Sequence, residues 1–179
     1  MEISTILDKV IIRHAHSSDL PALEWDGEFT HFRKLYAETF QRAVNRLAVM
    51  WISETHEQGI IGQLFVQLAS SRLEVADGST RAYIYAFRVK PAYRGQGVGT
   101  RMLQVAERDL SERGFHWVVL NVAQENLRAQ KLYKRTGYTV IGPDPGVWSY
   151  QDETGLTHYV EEPAWRMEKD LIKAKLDNL

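Results

Sequence analysis

The chain has 179 residues, 22 of them lysine or arginine and 23 aspartate or glutamate, with a net charge of −1 and no cysteine. That length suits one domain, 1–179, with a core large enough to fold unaided. Near-neutral charge leaves no global electrostatic case for nucleic acid or an anionic membrane. The absence of cysteine excludes disulfides, a thiol nucleophile and the common zinc clusters.

No window approaches 18 apolar residues, and Glu2 and Asp8 interrupt an N-terminus without signal-peptide layout, so a soluble, cytoplasmic protein is expected. Residues 10–16 read as a first strand. His14 and His16 share one face of it, without a third ligand at metal spacing, so no metal site is expected. Ser17, Ser18 and Asp19 are good caps ahead of Leu20 and Pro21 and predict a short helix to about Trp25. Residues 24–28 form an acidic loop around that tryptophan. Phe32, Leu35, Tyr36, Phe40, Ala43 and Leu47 make one apolar stripe, predicting an amphipathic helix over 30–46.

Residues 48–53 and 60–69 are the next strands, joined by a polar turn, and 82–89 is a third, closed by Pro91. Val98, Met102, Leu103, Ala106 and Leu110 then recur at helical spacing, with Gly114 as C-cap. Residues 116–122 are a buried-type strand. Asn126 opens a helix that buries Ala129, Leu132, Tyr133 and Thr136 and stops at Gly137. Strands at 138–142 and 164–170 follow, with a hairpin of 147–150 and 157–160 between them. This order predicts an α/β fold with a mixed, largely antiparallel sheet and flanking helices.

The turn between the third strand and its helix reads Arg94-Gly-Gln-Gly-Val-Gly-Thr100. Gly95, Gly97 and Gly99 let the backbone curl so that N–H groups converge at the helix's positive end, a nest suited to phosphate. The plainer reading is a turn that needs glycine only for its φ angles. A dinucleotide fingerprint fits poorly, because the third glycine comes one position early and the comparable acidic position is Asn121. A Walker A loop would need a lysine that Gly99-Thr100-Arg101 lacks.

Arg94-x-x-Gly97-x-Gly99 resembles the acetyl-CoA loop of the GNAT (GCN5-related N-acetyltransferase) superfamily. Leu120-x-Val122-x-x-x-Asn126-x-x-Ala129-x-x-Leu132-Tyr133-x-x-x-Gly137-Tyr138 resembles that family's second block, and the stretch 165–171 its closing strand. The resemblance covers roughly residues 80–142 and the tail. It implies a GNAT-like sheet with a central splay for acetyl-CoA. It also implies transfer of the acetyl group to a primary amine, of a small cationic molecule or a peptide, by direct attack through a tetrahedral intermediate. Cofactor contacts are implied at Phe87, Val89, Arg94, Gly95, Gln96, Gly97, Val98, Gly99, Thr100, Asn126 and Tyr133. Tyr133 is further implied as general acid to the departing thiolate. The plain readings are a helix N-cap for Asn126 and a core aromatic for Tyr133.

Several GNAT enzymes carry a glutamate base six residues before the position of Val89, where this chain has Tyr83. Glu54, Asp26 and Asp144 are substitutes between which the residues do not choose. Tyr83 also keeps open a non-catalytic acyl-CoA-binding or sensor domain. Trp25, Asp26, Glu28 and Tyr83 are the acceptor-side residues by analogy, and the acidic, aromatic loops predict a cationic acceptor. No nucleic acid or membrane partner is expected, and a homodimer is left open.

Overall fold

The computed structural model describes residues 5–176. Nine strands occur among them: β1 (Ile11–His14), β2 (Ala48–Thr55), β3 (Gly59–Gln67), β4 (Arg81–Val89), β5 (Trp117–Ala123), β6 (Thr139–Asp144), β7 (Val147–Gln151), β8 (Thr157–Glu161) and β9 (Ala164–Asp170). The helices are α1 (Ile6–Lys9), α2 (Arg33–Val44), α3 (Val98–Glu112), α4 (Leu127–Arg135) and α5 (Leu171–Leu176). Seven strands form one sheet in the order β1-β2-β3-β4-β5-β9-β6, and β7 and β8 make a separate hairpin. Only the β4–β5 pair is parallel. The mixed, mostly antiparallel sheet with flanking helices matches the expected fold class.

The sheet separates two apolar clusters. On one face Val98, Met102, Leu103, Ala106 and Leu110 of α3 are fully buried against Ile84, Leu120 and Met167. Each larger side chain of that stripe contributes roughly 1.5–3 kcal/mol relative to exposure. On the other face α2 sets Tyr36 against Ile52 and Phe65, with Phe32 and Leu23 beside it.

Several elements differ from expectation. The segment Ser17–Glu24 is a 3₁₀ helix, ended by Trp25 in the left-handed region at φ 48°. The helix expected from residue 30 begins with a 3₁₀ turn, Thr30–Phe32, and ends at Val44. β6 starts one residue late and runs through Pro143 to Asp144, which an outer strand allows because a proline's missing donor can face away from the ladder. α1 and α5 have too few residues for a periodic signal.

β4 is the strand that shapes the site. Its ladder with β5 stops at Ile84↔Leu120, although both strands continue, so the two diverge beyond that point. A bulge accompanies the divergence: Ala86 sits at φ 48°, and the register with β3 slips between Tyr85↔Phe65 and Arg88↔Gln63. An extra residue bends a strand and turns the following side chains to the other face. Tyr83 and Tyr85 accordingly stack with ring centroids 6.1 Å apart on the α2 side, and Arg88 joins them there by donating to Tyr36 Oη at 3.1 Å. Phe87 points the opposite way, to Tyr133.

Candidate active site

The turn after β4 is held by its own side chains. Arg94 Nε donates to Val89 O at 2.7 Å, and Gln96 Nε2 to Ala92 O at 2.8 Å. Gly95 and Gly97 adopt φ values of 73° and 88°, open to glycine at no steric cost, and Gly97 is the N-cap of α3. The first bond into the helix is Arg101 N to Gly97 O at 3.0 Å. Among the described residues the backbone N–H groups of Gly95, Gln96, Gly97, Val98, Gly99 and Thr100 make no hydrogen bond. They are free donors at a positive helix end, the arrangement that receives phosphate oxygens.

Two neighbouring elements close on this turn. Arg101 Nη1 donates to Leu7 O at 2.5 Å, and Leu7 Cδ1 lies 3.0 Å from where a Cβ on Gly97 would stand, so α1 rests on the loop. From α4, Arg128 Nη2 comes within 3.6 Å of the corresponding point on Gly95, and Arg135 Nη2 donates to Thr100 Oγ1 at 3.3 Å. Neither arginine stood out in the sequence. Their separation of seven puts them on one helical face, which is the signal that was available. Gly99 permits close approach of helix and strand, since a Cβ there would sit 3.4 Å from Phe87 Cζ.

The splay lies beside this loop. Lys90 N donates to Ile61 O at 2.8 Å, so by strand alternation the N–H and C=O of Val89 face the β5 side, into the gap. Asn126 is the N-cap of α4, its side chain accepting from Ala129 N at 3.0 Å. Tyr133 is buried, with its ring 6.4 Å from Phe87 and 5.7 Å from Tyr138. Burial, reinforced by Tyr83 nearby, pushes the Tyr133 phenol well above its ordinary pKa, so it stays protonated across the physiological range. Both residues thus also fill their plain roles of cap and core aromatic.

On the α2 side a cleft of about 500 Å³ opens against the sheet, lined by Tyr36, Arg72, Tyr83, Arg88, Asn121 and Asp144 among others. Burial raises the pKa of Tyr83, with Asp144 adding to the shift, so its phenol is no base at neutral pH. Burial also pushes the Asp144 carboxyl up, but Gly146 N at 2.8 Å and Arg166 Nη2 at 2.5 Å outweigh it and hold the acid below the usual range. Asn121 Oδ1 is buried without a partner among the described residues.

Of the four expected acceptor-side residues, Tyr83 lines the cleft and Trp25, Asp26 and Glu28 do not. Trp25 is buried edge-on to Phe29 at 5.1 Å, and Asp26 and Glu28 are exposed. Glu54 is engaged by Arg13 at 2.8 and 2.9 Å. Arg88, which also lines the cleft, was not foreseen. Strict alternation along β4 places it opposite Tyr83 and Tyr85, and only the bulge reverses that.

Residues 13–138 match the acetyltransferase (GNAT) family, and the chain belongs to it. A mycothiol acetyltransferase of Propionibacterium freudenreichii subsp. shermanii is 27% identical over 125 residues, which is 66% of this chain and 38% of that protein. N-alpha-acetyltransferase 30 of Schizosaccharomyces pombe is 27% identical over 107 residues, 59% of this chain and 71% of that protein. The chain thus spans well under half of the mycothiol acetyltransferases it matches. Among solved structures, the ribosomal-protein-S18-alanine N-acetyltransferase from Escherichia coli superimposes with a TM-score of 0.67 at 19% identity, covering 90% of this chain and 94% of that one. Spermidine/spermine N-acetyltransferase SpeG from Vibrio cholerae gives 0.70 at 15% identity, covering 96% and 98%. At such identities the likeness concerns the fold.

Proposed function

We propose that the chain, as one catalytic unit, is an acetyl-CoA-dependent N-acetyltransferase acting on a primary amine of a small molecule or a peptide end. The observation that carries this is the run of six unpaired N–H groups, Gly95 to Thr100, beside a splayed strand pair that contains a buried, protonated tyrosine. Those amides would hold the pyrophosphate, with Arg128 and Arg135 close to the same loop. Asn126 and the edges of Phe87 and Val89 would guide the pantetheine arm into the gap. Bound there, acetyl-CoA supplies an activated acetyl group as its thioester.

The remaining work falls to the chain. Val89 N–H, turned into the gap, can donate to an oxygen that gains negative charge. Tyr133 stays protonated across the physiological range, and its hydroxyl can donate to the departing thiolate. The burial that raises the phenol also raises the pKa of a thiol beside it above the ordinary value of about 8.5, so the proton can follow. Tyr83 cannot take the amine proton while neutral, but its hydroxyl can position the acceptor. Asp144 and Glu162 are the carboxylates that line the cleft; Arg166 occupies Asp144, so the amine proton would leave through water toward one of them.

A tyrosine where a carboxylate base is expected favours a second reading, a non-catalytic acyl-CoA sensor. Free-thiol release from acetyl-CoA in the presence of small amines and peptides separates the two. Acceptor-dependent release is expected, and tight coenzyme A binding without any release would favour the sensor.

A further inference from the structure

Arg88 differs from the other arginines around the cleft. Arg72 pairs with Glu74 at 2.8 Å, Arg166 with Asp144, Arg33 with Glu24 at 2.6 Å, and Arg81 with Glu168 at 3.0 Å. Arg88 is partly buried and makes no ion pair among the described residues; its one hydrogen bond is to Tyr36 Oη at 3.1 Å. A guanidinium offers five N–H donors in a planar fork, so most of its capacity is unspent. Its Cζ lies 4.3 Å from the Phe29 ring centroid and 5.1 Å from that of Phe32, so the charge rests against both rings. Removing a charge from water without a counter-ion is costly. Here the cost is met in part by Tyr36 and two rings, and an anion entering the cleft would meet it further.

The acidic residues that favour a cationic acceptor are largely spent elsewhere. Asp144 is bound by Arg166. Glu24 is held by Arg33 and Thr30. Asp152 accepts from Thr154, Leu156 and His158. Two acids stay outside such pairs, Glu162 on the cleft wall and the exposed Glu28, whose charge acts on Arg88 without a salt bridge, so the fork of Arg88 keeps its hydrogen-bonding capacity for a ligand. Asn121 lines the same cleft, and its buried Oδ1 has no donor among the described residues.

Resting on the acetyl-transfer reading above, we propose that the acceptor carries a carboxylate together with its primary amine, and that Arg88 seats this carboxylate. Phe29 and Phe32 pack against the guanidinium, and with Nη1 on Tyr36 its Nε–Nη2 edge is left to match the two oxygens of a carboxylate. Asn121 Oδ1 and the Tyr83 hydroxyl lie in the same cleft to receive the amine end. An amino acid or a similarly short amino-carboxylate has this chemistry; a polyamine does not.

The test uses the full chain, acetyl-CoA, and glycine, methionine, phenylalanine and glutamate, each as free acid, amide and decarboxylated amine. Thiol release and calorimetric binding of the same compounds are both read. For the matching side chain, the acid is expected to exceed its amide by about 10- to 100-fold in kcat/KM, carried mainly in KM. Arg88→Gln should bring that ratio close to one, and Arg88→Lys, which keeps the charge but not the fork, should recover only part of it. Amides or decarboxylated amines used as well as the acids by the unaltered protein would overturn the proposal without need of a variant. Such turnover would leave the acetyl-transfer reading intact. Acids that bind selectively through Arg88 but never release thiol would support the Arg88 site and sink acetyl transfer. Neither binding nor turnover with any acid would overturn the carboxylate site.

Discussion

Lys169 on β9 sets its ammonium 2.6 Å from Glu107 Oε2 on α3, and Tyr138 Oη donates to the other carboxylate oxygen at 2.9 Å. This buried group ties the cofactor-side helix to the sheet. Burial pushes the Glu107 carboxyl above its ordinary pKa, while Lys169 and Tyr138 pull it back. Lys169→Met leaves a buried acid without its cation and should cost about 3–5 kcal/mol at pH 8. A raised folded pKa favours the neutral acid, so stability is retained below the free glutamate value of about 4.3 and lost as pH rises through the folded value. The penalty in Lys169→Met should therefore shrink toward pH 5. Urea denaturation at both pH values measures this, and an equal penalty at each would count against the coupling.

Gly97→Ala tests the loop. The residue sits at φ 88°, where a Cβ costs about 1–2 kcal/mol, and that Cβ would press on Leu7 Cδ1. Coenzyme A affinity is expected to fall by about 5- to 30-fold, with a cooperative thermal transition retained. Unchanged affinity by calorimetry in a folded variant would separate phosphate binding from this turn.

Tyr133→Phe keeps the ring against Phe87 and Tyr138 and removes only the hydroxyl, for which no hydrogen-bond partner is recorded among the described residues. Stability should change little. Single-turnover acetyl transfer should slow by roughly 100- to 10,000-fold if thiolate protonation limits it. Because burial raises the phenol's pKa, no loss of rate up to pH 9 should trace to its ionisation. A variant as fast as the unaltered chain would make Tyr133 a packing residue alone.

Asp77 governs acid sensitivity at the entry to β4. Burial alone would raise its pKa, but Thr80 Oγ1 and the backbone N–H groups of Ser79, Thr80 and Arg81 donate to it and hold it well below the usual range. A depressed folded pKa gives stability that is complete above the unfolded value of about 3.9 and lost as pH falls through the folded one. Asp77→Asn should be less stable at pH 7 and should show a flatter decline below pH 4. Parallel acid-denaturation curves for the two proteins would refute this assignment.

The glycine turn and the cap of α4 were legible because their signals are local. Glycine spacing reports backbone angles directly, and Asn126 three residues before Ala129 is a cap at capping distance. The acceptor side depends on partners distant in sequence. Nothing near Asp144 announces Arg166, and nothing near Glu24 announces that Arg33 will take it, so two acids that look available for a ligand are bound within the protein. Arg88 was hidden by a bulge whose central residue is an alanine at φ 48° rather than a glycine. α1 carries four residues and is fixed to the loop by contacts with Gly97 and Arg101, about ninety positions on, which no local pattern encodes.

The β4 bulge sends Phe87 to one face of the sheet and Arg88 to the other, and under the proposed function this would give the two reactants separate rooms of the molecule. Helix α3 and its stripe of buried residues pack in one apolar cluster, on the side proposed for the cofactor; Phe29, Phe32, Tyr36 and Tyr85 pack in the other, on the side proposed for the acceptor. Because the two clusters are packed separately, substitutions in the second would disturb the first little, and one acceptor could be exchanged for another without rebuilding the side proposed to hold the donor. Proteins named for spermidine and for a ribosomal protein share this architecture at 15% and 19% identity, which is the divergence such a division of labour permits.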